Sequence, residues 1–368
     1  MGTAEATALV LEGPRRLVAH RLGLPPLGDD DALLRVEACG LCGTDHELFT
    51  GALPTPGPLV PGHETVGVIE RIGPGAARRW GVAAGDRVAV EVFRSCGRCP
   101  ACTAGEYRRC REHGLGDMYG FVPLHRPPGL WGGYATHQYL APDSLVLPVP
   151  AGLDPVVATL FNPLGAGIRW GVTLPGTAPG DVVAVLGPGV RGLSVSAAAK
   201  AAGAGHVLVA GKGRGDAARL ALAPDFGADT VVDGERDDPA DALMGATGAL
   251  ADVVVDVTAG APEALAQAVA LARPGGTVIL AGTRGSTDTP GFHPDLLVYK
   301  ELRVLGALGV DAPAYRAALE LLAAGTFPFA ALPRRCAALD SAEVADLLTT
   351  MSGHGRGSGR PVHAVIAP

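Results

Sequence analysis

The stretch VVAVLGPGVRG, residues 182–192, begins the part of the chain whose pattern decides the fold. A short apolar run leads into a glycine-rich turn, and an alanine-rich helix is predicted over 193–202. Further strands and helices alternate downstream: predicted strands at 207–210, 230–232, 252–257 and 277–281, and predicted helices at 216–223, 238–244 and 262–272. Such alternation predicts βαβ units and therefore an α/β domain with a doubly wound parallel sheet.

The turn after the first strand has the spacing G-x-G-x-x-G, formed by Gly187, Gly189 and Gly192 with Val190 and Arg191 between them. Glycines at these positions permit a tight turn, so a pyrophosphate can lie against the N-terminus of the next helix. Because 53 of the 368 residues are glycine, the motif alone is weak evidence. The strand before it and the helix after it strengthen the prediction of a dinucleotide site.

The second strand of this region ends at Gly211, and Lys212 and Arg214 follow it. An NAD site usually carries Asp or Glu at this strand end, where the carboxylate binds the ribose 2′-hydroxyl. Two cations in place of a carboxylate favour a 2′-phosphate, and hence NADP slightly over NAD. The alternative is that Lys212 and Arg214 are solvated loop charges and that Asp216 serves NAD.

The first 155 residues have a different pattern, in which short strands are joined by glycine and proline turns. Strands are predicted over 33–38, 66–72 and 87–92, as in an all-β, partly open barrel. After residue 305, a predicted helix over 314–324 and a strand over 362–366 can return to this first part. We therefore expect domains at 1–160 and 161–305, with 306–368 returning to the first.

Four cysteines lie within SCGRCPACTAGEYRRC, residues 95–110, at Cys96, Cys99, Cys102 and Cys110. The spacing C-x2-C-x2-C-x7-C can place four thiolates around one tetrahedral Zn²⁺, which predicts a structural zinc loop over 94–111. Disulfides, buried thiols and an Fe–S cluster are the alternatives. Five arginines are available to offset the thiolate charge: Arg94, Arg98, Arg108, Arg109 and Arg111.

A second group of metal-binding side chains lies upstream, in CGTDH at 42–46 and GHE at 62–64. Cys42 can supply a thiolate and His63 an imidazole, while Asp45 can orient the His63 ring as a hydrogen-bond acceptor. Glu64 can bind the metal directly or assist water exchange. Next to a four-cysteine loop and a dinucleotide fold, this group predicts a catalytic zinc.

Composition excludes several classes of protein. A net charge of −7 without a basic stripe argues against a nucleic-acid partner, and no uninterrupted apolar run is long enough for a membrane span. The N-terminus lacks the pattern of a signal peptide, and cysteines grouped as metal ligands are typical of a reducing cytoplasm. We expect the remaining Cys39 and Cys336 to be buried as small apolar residues.

Six segments in order resemble the zinc-dependent medium-chain dehydrogenase/reductase family, which includes alcohol, polyol and sugar dehydrogenases: GLCGTDHELF, PGHETVGVIERIG, the four-cysteine loop, GGYATH, VVAVLGPGVRG and PGGTVILAG. The resemblance implies a GroES-like β-barrel catalytic domain plus a Rossmann domain. It also implies that Cys42 and His63 bind the catalytic zinc, followed by the acid Glu64, and that Thr44 receives the substrate proton. Asn162 stands where the family usually has a zinc-proximal Cys, Glu or Asp.

The implied activity is hydride transfer between NAD(P) and a secondary alcohol, a polyol or a sugar-like compound, with two zinc ions per chain. Thr44 would pass the proton toward His46 or the cofactor ribose, and the protein would be a homodimer or homotetramer. The candidate pocket walls are Phe49, Tyr119, Trp131 and Phe161, and the equal alternative is that each is a core residue. The alternatives are a zinc-free enone or quinone reductase of the same superfamily and a non-catalytic, zinc-stabilised nucleotide-binding protein.

Overall fold

The computed structural model describes residues 4–285, 287–351 and 361–368. The chain divides into two compact units, each with its own core. The first unit comprises Met1–Phe161, Leu319–Ala324 and Phe329–Pro368, and the second comprises Asn162–Ala318 and Gly325–Pro328.

The strands, numbered along the chain, are β1 Glu5–Gly13, β2 Arg16–Gly23, β3 Ala32–Leu41, β4 Glu64–Ile72, β5 Arg87–Val90, β6 His137–Leu140, β7 Val146–Pro148, β8 Val182–Leu186, β9 His206–Gly211, β10 Thr230–Asp233, β11 Ala251–Asp256, β12 Ala272–Leu280, β13 Arg303–Gly306, β14 Arg334–Ala337 and β15 His363–Ile366.

The helices are α1 Gly43–Thr50, α2 Pro74–Trp80, α3 Pro100–Thr103, α4 Pro155–Ala158, α5 Phe161–Ile168, α6 Val190–Ala201, α7 Gly213–Leu220, α8 Pro239–Thr247, α9 Ala264–Leu271, α10 Asp295–Tyr299, α11 Ala312–Ala324 and α12 Ser341–Met351. A π-helical stretch, Arg169–Thr173, follows α5. Four 3₁₀ turns of the described residues lie at Tyr107–Arg109, Leu115–Asp117, Ala223–Phe226 and Phe329–Ala331.

The first unit is built on a seven-stranded sheet in which β14-β15-β3-β4-β5-β7 are neighbours and β6 also pairs with β3. All its pairs are antiparallel except β14 with β15, and β1 and β2 form a separate antiparallel pair. The last strand, β15, returns to pair with β3. The buried residues of β1 and β3 are all small or apolar, and their packing fixes the position of the β3 end that carries the site.

The second unit contains a six-stranded parallel sheet with the order β10-β9-β8-β11-β12-β13. Counted from β8, this is the order 3-2-1-4-5-6 of a Rossmann fold, so the predicted doubly wound sheet is confirmed. Strands β8 and β11 are almost completely buried, because helices cover both faces of a parallel sheet. The helix predicted over 216–223 begins earlier, at Gly213, since the Asp216 carboxylate accepts a hydrogen bond from the Lys212 N–H.

The burial of single side chains tests two expectations and corrects one, that for Cys336. Cys39 is fully buried as expected, but Cys336 is exposed on the short strand β14. The four aromatic residues named as pocket-wall or core candidates are buried, each at most 5% exposed, which favours the core alternative: Phe49, Tyr119, Trp131 and Phe161. Across the described ranges, the helices are too short or too polar to traverse a bilayer.

Candidate functional site

The buried group of Cys42, Asp45 and His63 lies at one end of the first unit's sheet. Cys42 is the N-cap of α1, directly after β3, and His63 directly precedes β4. Because β3 and β4 are antiparallel, with Gly40 opposite Glu64, the end of one strand meets the start of the other. The Cys42 Sγ and His63 Nε2 atoms are 3.2 Å apart.

Asp45 connects the helix start to the histidine. Its Oδ2 accepts a hydrogen bond of 2.9 Å from the Cys42 N–H, which satisfies one of the free amides of the first turn of α1. Its Oδ1 lies 3.7 Å from His63 Nδ1. The carboxylate therefore faces the ring nitrogen that is turned away from Cys42, which is the arrangement required for the orienting role predicted for Asp45.

The donor atoms of this group fit a zinc ion. One atom each from Cys42, Asp45 and His63 lie within 4.8 Å of one another. Thiolate sulfur and imidazole nitrogen are donors that zinc prefers in proteins, so Cys42 and His63 would hold the ion. Asp45 Oδ1 and His63 Nδ1 are buried and have no hydrogen-bond partner within the described ranges. Metal bound at Nε2 would leave the proton on Nδ1, facing Asp45.

Glu64 and Asn162, the other predicted ligands, are placed differently. Glu64 is buried at the start of β4, and a Cβ on Gly40 would lie 2.4 Å from its Oε2, so the carboxylate needs glycine at that position. Among the described residues, the group whose donor atoms lie close enough together to bind a metal is Cys42, Asp45 and His63, without Glu64. Asn162 belongs to the second unit, where its Nδ2 donates to Tyr315 Oη over 2.9 Å. Both ligand roles stay predictions, and Tyr315 was missed because it lies 153 residues away.

Thr44 and His46 occupy α1 next to this group. His46 Nδ1 lies 3.0 Å from the backbone oxygen of Leu348, and because a carbonyl only accepts, Nδ1 carries the proton. Residues two apart on a helix are about 160° apart around its axis. The spacing therefore does not favour the predicted direct proton transfer from Thr44 to His46, since the imidazole is held against α12.

Aromatic side chains surround the buried group. The Phe121 ring centroid lies 5.7 Å from that of His63, with 41° between the ring planes. Tyr134 is fully buried, and burial together with the negative charge of Asp45 raises its pKa well above the ordinary value. Its phenol therefore stays protonated at neutral pH and is a potential donor in this part of the site.

The four cysteines of the loop also come together. One sulfur each from Cys96, Cys99, Cys102 and Cys110 lie within 4.8 Å of one another, and Cys96 and Cys102 Sγ are 3.8 Å apart. The seven cysteines all lie in the described ranges and are free thiols, which contradicts the disulfide alternative. Four thiolates form a closed tetrahedral set, which suits a structural zinc.

Backbone amides, more than arginines, stabilise the thiolates of this loop. The backbone N–H of Arg111 is the main cause that lowers the pKa of Cys99 to about 6, whereas burial raises the pKa of Cys102 to about 11. The guanidinium groups expected to offset the thiolate charge are engaged with carboxylates in three cases: Arg94 with Asp117, Arg98 with Glu112 and Arg108 with Glu106. These three arginines are therefore paired with carboxylates, whereas the sequence had led us to expect them to offset the charge of the thiolates.

The glycine-rich turn of the second unit has the geometry required for a close approach of backbone. Gly187 has φ 103°, and a Cβ on Gly192 would lie 1.8 Å from the Gly187 oxygen, so both positions need glycine. Gly189 is the N-cap of α6, which begins at Val190. The Arg191 guanidinium lies over the Trp170 ring, 5.2 Å from its centroid. The turn and the helix N-terminus can hold a pyrophosphate.

Carboxylates surround the end of β9, where the two predicted phosphate-binding cations lie. Lys212 Nζ is 2.6 Å from Glu263 Oε1, and the Lys212 N–H donates to Asp216. The Gly213 N–H donates to Asp233 Oδ1 over 2.8 Å. Arg214 is exposed. The sequence pattern did not reveal Glu263, because it lies 51 residues beyond Lys212.

Comparisons with known proteins agree with this arrangement. Two family models match, "Alcohol dehydrogenase GroES-like domain" over residues 28–151 and "Zinc-binding dehydrogenase" over 192–324. A Mycobacterium tuberculosis protein named "Probable alcohol dehydrogenase adh" is 67% identical over 366 residues, with 99% of each chain covered. The chain belongs to the zinc-dependent medium-chain dehydrogenase/reductase family.

Other members of the family are more distant. A sorbitol dehydrogenase of Bacillus subtilis is 30% identical over 325 residues, with 86% of each chain covered. Among solved structures, a protein of Sinorhizobium meliloti described as a zinc-binding dehydrogenase bound to NADP has a TM-score of 0.84 and 31% identity, with both chains fully covered. Family membership confirms the predicted GroES-like plus Rossmann fold and an enzyme of the alcohol dehydrogenase type that uses zinc and NAD(P).

Proposed function

We propose that this enzyme transfers hydride between NAD(P) and a small secondary alcohol, polyol or sugar-like compound, or the corresponding carbonyl compound. The observation that carries the proposal is the buried Cys42–Asp45–His63 group, whose donor set fits a metal ion and whose ring nitrogen faces a carboxylate. The names of the relatives support the substrate class, since they include an alcohol dehydrogenase and a sorbitol dehydrogenase.

We propose two zinc ions per chain with separate roles. Cys42 and His63 would hold the catalytic ion, with Glu64 or Asn162 as a further ligand, and the four loop cysteines would hold the structural ion. When bound, the catalytic zinc supplies a Lewis acid for the substrate oxygen. We also propose domains at 1–160 and 161–305 with a return over 306–368. The pairing of β15 with β3 supports the return, but the division into two units begins it at Leu319 and leaves 306–318 with the second unit.

The side chains of the first unit have distinct roles in this mechanism. Cys42 contributes a negative charge that retains the metal, and Asp45 keeps the proton of His63 on Nδ1 so that Nε2 is free as a ligand. Thr44 takes the proton that the substrate hydroxyl loses. Of the two onward paths predicted for that proton, the helix spacing disfavours His46, which leaves the path toward the cofactor ribose.

For the cofactor we propose NADP slightly ahead of NAD. Support comes from Lys212 and Arg214 after β9, and from the similar S. meliloti protein, which holds NADP. Glu263 opposes this preference, because its carboxylate pairs with Lys212. Kinetics with both cofactors in the wild type and in Glu263→Gln test it: removing the carboxylate should lower KM for NADP more than KM for NAD.

A panel of alcohols, polyols and sugars, scored by absorbance of the reduced nicotinamide with both cofactors, tests the proposed function. We expect turnover of at least one class and its loss after verified removal of zinc by a chelator, with recovery when zinc is restored. Full activity of the zinc-depleted enzyme would refute the catalytic role of the metal. Sedimentation tests the proposed homodimer or homotetramer.

A further inference from the structure

Strands β11 and β12 carry an aspartate–arginine pair at each end. At the amino ends, Arg273 Nε lies 2.6 Å from Asp252 Oδ1, and both side chains are accessible, at 46% and 23%. Just beyond the carboxyl ends, Arg284 is paired with Asp256 Oδ2, and these side chains are 11% and 0% exposed. The two pairs have the same chemistry, but only the second is buried.

Asp256 organises the loop that follows β11. Its Oδ1 accepts hydrogen bonds from the Thr258 N–H over 3.0 Å and from the Thr258 hydroxyl over 2.6 Å. Its backbone oxygen accepts from the amides of Ala281 and Gly282, in the loop after β12. A fully buried carboxylate is costly unless it is paired and hydrogen-bonded, and these contacts meet that requirement.

Arg284 connects the same two loops from the other side. Besides its ion pair with Asp256, its Nε donates to the Ala261 oxygen over 3.0 Å and its Nη1 to the Gly282 oxygen over 3.3 Å. A planar guanidinium with several fixed donors can hold three acceptors at once, which the ammonium of lysine does less well. The pair therefore fixes the loop after β11 against the loop after β12.

Thr258 extends this network to the glycine-rich turn. A Cβ on Gly187 would lie 3.2 Å from Thr258 Cγ2, and a Cβ on Gly282 would lie 1.7 Å from the Thr258 oxygen. Thr258 is thus in close contact with the turn after β8 and with the loop after β12. The carboxyl ends of β8, β11 and β12 are neighbours in the sheet, at the edge where a Rossmann fold binds its dinucleotide.

We propose that Asp256 and Arg284 are positioning residues for the cofactor, which hold the loops at 257–261 and 281–284 in the shape that NAD(P) binds. The proposal rests on the NAD(P) binding proposed above. A preformed loop lowers the cost of ordering upon binding, so loosening it should weaken cofactor affinity before it affects the chemical step. Loss of Arg284 alone would also leave a buried negative charge near the turn that receives an anionic pyrophosphate.

The test compares Arg284→Met with its matched control Arg273→Met, which removes the accessible pair from the other end of the same strands. Cofactor Kd is measured by fluorescence titration with NADH and NADPH, together with KM, kcat and thermal unfolding. We expect Arg284→Met to raise Kd and cofactor KM at least about tenfold with a smaller change in kcat. Arg284→Lys should lie between the wild type and Arg284→Met, and Arg273→Met should bind within about twofold of the wild type.

The double variant Asp256→Asn/Arg284→Met removes both charges and covers the case in which Arg284→Met does not fold. We expect it to fold and still bind cofactor more weakly than Arg273→Met, because the loop contacts are lost. Folded variants of Arg284 or the double variant that bind cofactor as tightly as Arg273→Met would overturn the proposal. A wild type that binds neither NADH nor NADPH would instead overturn the proposed function.

Discussion

Two groups of cysteines in the first unit bring metal-binding atoms together by different means. In the four-cysteine loop, every ligand comes from residues 96–110, and turns within that segment assemble the set. In the other group, Cys42 and His63 are 21 residues apart and meet only because β3 and β4 pair in the observed register. The first group depends on local spacing, whereas the second depends on the fold of the whole sheet.

The two groups also differ in the environment of the ligands. The loop offers four sulfurs to a metal and therefore closes its coordination, with backbone N–H groups directed at the sulfurs. The Cys42 group offers unlike donors and a carboxylate that orients one of them. A closed set of four sulfurs is the donor set of a structural zinc, whereas mixed donors are typical of a catalytic one, which is why we propose separate roles for the two groups.

Cys42→Ala should have the largest effect on turnover. Without the thiolate, the catalytic metal and the several kcal/mol of charge stabilisation that it supplies are lost, so kcat/KM should fall about 10³-fold or more. Metal analysis should show one zinc per chain in the variant and two in the wild type. Cys39→Ala, at a buried cysteine that is outside both groups, is the matched control and should keep both ions. Two zinc ions and normal turnover in Cys42→Ala would contradict the division of roles.

Thr44→Val should have the next largest effect. Removing a group that takes the substrate proton costs about 10²–10⁴-fold in kcat, while cofactor Kd should stay unchanged. Thr44→Ser, which keeps the hydroxyl, should retain most of the activity. His46→Asn should lose far less than Thr44→Val, because His46 is held by Leu348. An equal loss of kcat in His46→Asn would instead support the predicted proton transfer through the His46 imidazole.

Asp45→Asn should have a moderate effect on the catalytic site. Replacing a carboxylate that faces a ligand histidine costs about 10–100-fold in metal affinity or activity. Competition with a chromogenic chelator measures the affinity of the more labile zinc, and kcat/KM should fall in parallel. Asp154→Asn is the control, because Asp154 lies in the same unit and its carboxylate accepts hydrogen bonds from the Val156 and Val157 N–H groups at the start of α4. Equal zinc affinity in Asp45→Asn and the wild type would show that the 3.7 Å approach has no role.

The parts of the molecule that the sequence could predict are those with local patterns. The alternation around β8 to β12 predicts the Rossmann sheet, because strand and helix periodicities are local properties. The cysteine spacing predicts the loop group for the same reason. The predicted ends of single helices are less accurate. Helix α7 begins at Gly213 because Asp216 accepts a hydrogen bond from the Lys212 N–H, and hydrophobic periodicity does not predict such a side-chain contact.

Contacts between distant residues explain what the sequence could not predict. His46 bonds to a backbone oxygen 302 residues away, and Arg284 finds Asp256 28 residues back only after both strands have joined the sheet. Arginine composition suggested charge compensation around the thiolates, but the glutamates and aspartates of the same region take up three guanidinium groups. A local pattern shows which charges are near in sequence, not which of them pair.

Cys102→Ser should lower stability and leave catalysis nearly unchanged. The loop loses one of four sulfurs, and because binding of a structural zinc is coupled to folding, the unfolding temperature should fall by several degrees. Turnover per folded molecule should stay within about twofold of the wild type, since Cys42, Asp45 and His63 are untouched. Calorimetry and active-site titration separate the two quantities. A large loss of turnover in folded Cys102→Ser would mean that the two groups are not independent.

Arg98→Gln should have the smallest effect and decides how the loop thiolates are stabilised. Arg98 and Glu112 are 73% and 43% exposed, so their ion pair contributes at most about 1 kcal/mol, or about 2 °C in the unfolding temperature. If backbone N–H groups stabilise the thiolates, zinc content and the rate of zinc loss to a chelator should match those of Arg79→Gln. Arg79 forms a similar exposed pair with Asp30 and serves as the control. Zinc loss that is tenfold faster in Arg98→Gln alone would show that guanidinium charge, and not the backbone, retains the metal.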